Sequence, residues 1–288
     1  MNDWKKHLGR WQWYVAIFLA ISYVIAWFVV GQIKPKETVS VSFLNVGNGD
    51  AILIQGLMGN SILIDGGPDK TVLTELNRLL PLFARSLDAV VETHSALSSS
   101  AGLPFVLAHY HVGTFFNSGV AGKGGADGET EKLLSEQNIP VVTAQLGTTI
   151  DLHDGSFLRI LFPDRKLSGV DPSTASIVAQ YVFGKTCFLF MADAPLNIEN
   201  YLVSLYGANF HCQVLKVAHQ GADTSTGEEF LSAVSPEYSV ISVAPDNTYG
   251  YPKKAVTDRL TAASSTIITT AEHGTITFVS DGENVWLK

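Results

Sequence analysis

Apolar and polar positions recur along this chain with two periods, and those periods predict most of its elements. Residues 39–46 (Val39-Ser40-Val41-Ser42-Phe43-Leu44-Asn45-Val46) begin with strict alternation and predict a strand, and 51–55 and 60–65 predict two more. Residues 71–84 place Val72, Leu73, Leu76, Leu79, Leu80 and Phe83 at helical spacing, which predicts an amphipathic helix. The apolar run Ala89-Val90-Val91 reads as a strand that ends in Thr93-His94, with a helix over 103–109 and a strand over 111–116 after it. Glycine-rich residues 121–128 predict a loop, 129–137 a helix, and His153-Asp154-Gly155 a hairpin turn. Strands follow over 157–161, 175–183, 186–191, 213–217 and 238–243, then near 266–270, 274–279 and 283–287. Helices over about 195–206, 228–234 and 253–263 lie between the later ones. Strands first, a second set in the middle and helices between strands later suit two packed sheets flanked by helices. The expected class is α/β, an αβ/βα four-layer sandwich formed as one domain.

One stretch fits no sandwich element. Residues 11–30 carry no charge, and twenty helical residues span about 30 Å, the hydrocarbon thickness of a bilayer. Trp11, Trp13 and Tyr14 lie at one end and Trp27 near the other, as interfacial anchors do. A buried core helix or a cleaved signal peptide are the alternatives, but the run is long for a signal sequence and no small-residue cleavage site precedes Gly31. The expectation is a single transmembrane helix before the sandwich. Lys5, Lys6 and Arg10 precede it against Lys34 and Lys36 after it, which places the N-terminus in the cytoplasm and the main domain outside. The division expected is a cytoplasmic N-terminus (1–10), an anchor (11–30), a linker (31–38) and the folded domain (39–288).

Charge narrows the partners. The formal net charge is −8, and it becomes −10 once Asp3, Lys5, Lys6 and Arg10 are set aside. An acidic body does not draw polyphosphate at long range, so composition does not favour nucleic acid. Cys187 and Cys212 lie in apolar runs and read as buried structural thiols rather than a metal knuckle or a disulfide.

The candidate chemistry starts at His94, delivered by a strand end to a loop. His109-Tyr110-His111 has chelate spacing but sits on a helix-to-strand junction, and reads as a surface or packed pair. The Gly122-Lys123-Gly124 segment lacks the Ser/Thr that a phosphate-binding loop places on magnesium.

Several motifs then agree on a family. Phe43-Leu44-Asn45-Val46-Gly47-Asn48-Gly49-Asp50-Ala51 resembles the Phe-Leu-Asp-Val-Gly-Gln-Gly-Asp-Ala opening of the metallo-β-lactamase-like domain of ComEC-type competence proteins. Ile62-Leu63-Ile64-Asp65-Gly66-Gly67, Met191-Ala192-Asp193-Ala194, Val214-Leu215-Lys216-Val217-Ala218-His219-Gln220-Gly221 and Asn247-Thr248-Tyr249-Gly250-Tyr251-Pro252 resemble its later motifs, in order. The resemblance spans about 39–287 and implies the metallo-β-lactamase-like sandwich.

It also implies a His-x-His-x-Asp-His run whose ligands hold two metals that activate water. Here that run reads His94-Ser95-Ala96-Leu97-Ser98-Ser99; Gln220 stands for a second histidine and Tyr251 for the last. Ala96 has no donor atom, and neutral serine hydroxyls are poor ligands at pH 7. His94, Asp193 and His219 remain, enough for one zinc or manganese ion if they converge. Asp65, before Gly66-Gly67, reads as a carboxylate that orders the loop from behind rather than as a base; Gln220, Asn247, Tyr249 and Tyr251 read as residues behind or along the pocket, with aromatic packing the favoured alternative for the two tyrosines. A relay from Ser98 or Ser99 through His219 and Asp193 is conceivable in the same pocket, without a nucleophile-elbow motif to support it.

The expectation is a membrane-anchored pseudoenzyme without cofactor: a binding, accessory or scaffold domain with a protein partner in a surface or DNA-uptake assembly. The alternative is a metal-dependent hydrolase, nuclease- or phosphoesterase-like, with a reduced one-metal site. The resemblance implies a multi-helix channel in full-length family members, which one span cannot form alone.

Overall fold

A computed structural model describes the backbone of residues 4–32, 37–81, 83–120, 122 and 125–288, and within these the side chains of all but 4–10, 25, 26, 28–32, 125, 126 and 208. The chain divides into two compact units, Met1–Lys36 and Glu37–Lys288. The first is built on helix α1 (Trp4–Gln32). The expected span over 11–30 runs past the residues with described side chains, and 33–36 of the expected linker over 31–38 lie outside the described residues. Among the described residues, no helix is long and apolar enough to cross a membrane.

The second unit opens with β1 (Val39–Phe43), β2 (Ile52–Gln55) and β3 (Ser61–Ile64), then helix α2 (Thr71–Leu79) and strand β4 (Ser86–Glu92). Short α3 (Leu97–Ser100), α4 (Leu103–His109), β5 (His111–Asn117), α5 (Gly125–Glu136) and β6 (Val141–Thr143) follow. The central strands are β7 (Thr149–Asp151), β8 (Ser156–Phe162), β9 (Val178–Phe183) and β10 (Thr186–Phe190). Then come α6 (Leu196–Tyr206), β11 (Val214–Lys216), α7 (Glu228–Val234), β12 (Tyr238–Ile241), α8 (Lys254–Ala262) and β13 (Thr266–Thr269). Helix α9 (Thr270–His273), β14 (Ile276–Ser280) and β15 (Val285–Leu287) close the chain.

Among the described residues these strands form one sheet of eight, in the order β15-β14-β1-β2-β3-β4-β5-β6, and one of seven, in the order β13-β12-β11-β10-β9-β8-β7. Side chains alternate across a strand, so each strand feeds two layers. Ile52, Ile54, Ile62, Ile64 and Val91 face the core between the sheets, where Leu158, Tyr181, Phe188 and Phe190 meet them from the second sheet. Leu53, Leu63 and Val90 face the other way and pack on Val72, Leu76, Val106 and Leu107 of α2 and α4. Leu189 and Leu215 of the second sheet pack on Leu202, Phe230 and Leu260 of α6, α7 and α8. The result is the four-layer α/β sandwich expected from the pattern. Strands covered on both faces are apolar at successive positions, which is why Ile-Leu-Ile appears twice.

Three expectations change. The helix predicted over 71–84 stops at Leu79, because Leu80 precedes Pro81 and takes the extended conformation that a following proline favours. Phe83 is therefore 90% exposed rather than on the buried face. The loop predicted over 121–128 gives way to α5 at Gly125, with 121, 123 and 124 outside the described residues. Cys187 and Cys212 form a disulfide, with Cα atoms 5.2 Å apart, rather than two thiols. The parallel pairing of Phe188 with Val214 brings β10 and the approach to β11 side by side, a register that two cysteines 25 residues apart do not announce.

Candidate functional site

Strands β3 and β4 run parallel, as do β10 and β11, so their carboxyl ends open on the same side of each pair. Such ends are where side chains are handed to loops. Asp65 follows β3, Thr93 and His94 follow β4, Asp193 follows β10, and His219 follows β11. Each turn is tight. Asp65, Ala192, His219 and Gln220 all hold positive φ, between 45° and 59°, a region costly for residues with a Cβ and concentrated at functional sites.

These residues form one buried hydrogen-bonded chain. Asp65 accepts from the Thr93 backbone N–H (2.8 Å) and from Thr93 Oγ1 (2.7 Å). Thr93 Oγ1 lies 2.9 Å from His94 Nδ1, and His94 Nε2 lies 3.1 Å from Asp193 Oδ2. With its hydrogen given to Asp65, the Thr93 hydroxyl accepts from Nδ1–H, and Nε2–H donates to Asp193. Both ring nitrogens then donate, the state of an imidazolium. Burial opposes that charge, but the bond to Asp193 and the carboxylates of Asp193, Asp65 and Asp50 outweigh it and raise His94 to about 9. Asp193 is displaced in the complementary sense: burial would raise it, and His94, His219 and Lys216 together bring it below the usual carboxylate range. Burial pushes Asp65 up against the pull of His94 and of both Thr93 bonds.

His219 stands at the open end. Its Nε2 lies 3.9 Å from Asp193 Oδ2, and its side chain is 36% exposed. The Tyr251 ring meets it edge-on at 5.9 Å, and Tyr249 stacks on Tyr251 at 5.7 Å. Asn247 instead locks its own loop, accepting from Tyr251 N–H and donating to the carbonyls of Ala244 and Tyr251. Gln220 is buried, and its Oε1 has no partner among the described residues.

The segment aligned with the family's metal run is α3, which tethers loops. The Ser98 carbonyl accepts from Asp50 N–H and the Ser99 carbonyl from Gly66 N–H. A Cβ on Gly49 would lie 2.0 Å from the Ser98 carbonyl oxygen, and one on Gly66 2.7 Å from Leu103 N, so glycine is required at both. Neither serine hydroxyl makes a described hydrogen bond with His219 or Asp193, so no nucleophile is paired with a base. His109 and His111 are both exposed, with His109 Nδ1 on the Phe105 carbonyl.

A second pair escaped the reading of the sequence. Lys216 is 1% exposed, and its Nζ lies 2.9 Å from both carboxylate oxygens of Asp50 and 3.0 Å from the Val217 carbonyl. A lone lysine inside Val214-Leu215-Lys216-Val217 was its signal, since a charge in a buried strand needs a partner.

The donors do not fit the metal pair that the fold implies. Ala96, Ser98, Ser99, Gln220 and Tyr251 stand where the resemblance implies ligands, and both His94 nitrogens are committed to protein acceptors. Among the described residues no group of three His, Cys, Asp or Glu side chains is placed to hold a metal ion.

No family model matches the chain. It is 35% identical over 125 residues to Competence protein ComA of Neisseria gonorrhoeae, covering 43% of this chain and 18% of that protein. It is 25% identical over 262 residues to ComE operon protein 3 of Bacillus subtilis (83% and 32%), and 28% identical over 247 residues to Recombination protein 2 of Haemophilus influenzae (84% and 29%). The chain thus spans about a third or less of the length of these relatives. Among solved structures it is similar to a metallo hydrolase from Ignicoccus hospitalis (TM-score 0.50, 17% identity, 83% of this chain and 98% of that one). It is also similar to CmlA, a diiron β-hydroxylase from Streptomyces venezuelae (TM-score 0.51, 13% identity, 81% and 53%). At these identities the structural likeness is one of fold. Similarity to competence proteins across most of the chain, together with this two-sheet sandwich and these motifs at its strand ends, supports a ComEC-like domain of metallo-β-lactamase-type fold.

Proposed function

We propose that this is a membrane-anchored ComEC-like domain that has given up metal-dependent hydrolysis and acts as a binding or scaffold subunit linked to DNA uptake. The observation that carries the reading is the Asp65–Thr93–His94–Asp193 chain, in which protein groups satisfy one another where the fold's metal ligands would stand. The role in uptake rests on the competence relatives, and the acidic body points to a protein partner rather than to DNA. The apolar stretch over 11–30, with more basic residues before it than after, supports an anchor with its N-terminus in the cytoplasm. The Cys187–Cys212 disulfide suits a domain outside, since such bonds persist in oxidising compartments.

A second reading has one observation in its favour: Asp193 Oδ2 lies within 4 Å of both His94 and His219, the three donors that a single-metal hydrolase would need. Incubating the chain with single-stranded DNA and manganese separates the two. The scaffold reading expects no cleavage, and a His219→Ala variant that restores DNA uptake to a deletion strain as well as the parent does. Manganese-dependent cleavage lost in His219→Ala contradicts it.

A further inference from the structure

We propose that the cavity between the end of β4 and α5 binds an alkylammonium group, with Glu92 as its counter-ion. Glu92 closes β4 and is 7% exposed, yet its carboxylate has no hydrogen-bond or ion-pair partner among the described residues. A carboxylate removed from water is costly unless a cation or several donors meet it. Across the cavity Asp127 and Glu131 carry the same charge and add to the cost, which His94, two residues along the chain, offsets only in part, so burial and like charge together still raise the Glu92 carboxyl. A separate observation points the same way. Thr130, 4% exposed on the same wall, has a hydroxyl with no hydrogen-bond partner among the described residues. An unmatched acceptor and an unmatched hydroxyl on one cavity are what a missing hydrogen-bonding cation leaves behind.

The walls choose among cations. The cavity, about 120 Å³, is also lined by Phe115 and Leu134, both buried. A divalent ion wants six or more oxygens at fixed distances and keeps its waters, and an apolar wall supplies neither. The described acidic side chains are not placed to hold a metal. An alkylammonium matches both halves: three N–H donors for Glu92 and Thr130, and a methylene stem for Phe115 and Leu134. At about 30 Å³ for a water-sized group, there is room for roughly four or five non-hydrogen atoms, the size of an aminobutyl group. A free small amine and a lysine side chain of a partner protein share this chemistry.

The test is calorimetric titration of the whole chain at pH 8 with n-butylammonium chloride, putrescine and N-acetyl-lysinamide, against sodium and magnesium chloride at matched ionic strength. Saturable binding of the amines is expected, weakened at least about tenfold by Glu92→Gln and less by Thr130→Val. Glu92→Gln removes an unpaired buried charge, so it leaves the protein folded. Tighter binding of N-acetyl-lysinamide than of n-butylammonium or putrescine marks a lysine side chain as the source, and the reverse a free amine. Amine binding unchanged in Glu92→Gln, no amine binding at all, or saturation by magnesium in place of amines overturns the proposal.

Discussion

His94 Nε2 donates to Asp193 Oδ2 across 3.1 Å, joining the end of β4 in one sheet to the end of β10 in the other. The pair links the two sheets at the strand ends that form the candidate site, and it makes stability there depend on pH. His94 titrates near 9, above the 6.5 of a free imidazole, so its contribution is complete below about pH 6.5 and is lost as pH rises through 9. Asp193 is held below 3.8, so its share is present above that value and is lost only as pH falls through the lowered one. Asp65, raised by burial, also binds its proton more tightly when folded and adds to the loss at high pH. The free energy of unfolding by urea is expected to fall from pH 6.5 to 9.5 by on the order of 5 kcal/mol, about 3 of it from His94 and about 2 from Asp65. Asp193→Asn should flatten most of that slope, and a wild-type midpoint constant over this range contradicts the assignment.

The Lys216–Asp50 pair should behave as a unit. Lys216→Ala leaves the Asp50 carboxylate buried without its cation, a loss of about 3–5 kcal/mol. Lys216→Met with Asp50→Asn removes both charges and should cost clearly less than the two single changes added together. Additive costs in a denaturation cycle would show that the two groups are independent.

Thiol labelling of the unfolded, unreduced protein is expected to find Cys187 and Cys212 unreactive, and reduction to expose both. Replacing both by serine should cost about 2–4 kcal/mol, the usual effect of opening a loop of this size. Two reactive thiols before reduction would contradict the pairing.

The sequence shows the sandwich where local pattern decides it. The Ile-Leu-Ile runs, the glycines at 49 and 66 and the helix over 103–109 all fall where periodicity and turn chemistry put them. It is silent where partners lie far apart along the chain. Lys216 meets Asp50 from 166 residues away, and Cys187 finds Cys212 only through strand register. Glu92, a charge at the end of the apolar Ala89-Val90-Val91 run, was visible but had no interpretation until the cavity beside it was. At the site itself, the residues at 96, 98 and 99 that depart from the run the resemblance implies could be read directly. That His94 and Asp193 would satisfy each other required the two strand ends in space.

Restoring the donors is a further check. A chain carrying Ala96→His, Ser98→Asp, Ser99→His and Gln220→His should gain zinc binding that the parent lacks, read by equilibrium dialysis. Equal zinc uptake by parent and variant would show that the missing donors are not what separates this site from a metal centre.

The most direct measurement is the metal content of the purified chain by elemental analysis after dialysis against zinc and manganese. A His94–Asp193 pair that satisfies itself predicts far less than one equivalent of either metal, unchanged in His219→Ala. One tightly held equivalent per chain, lost in His219→Ala, contradicts it and makes His94, Asp193 and His219 the ligands of a working site.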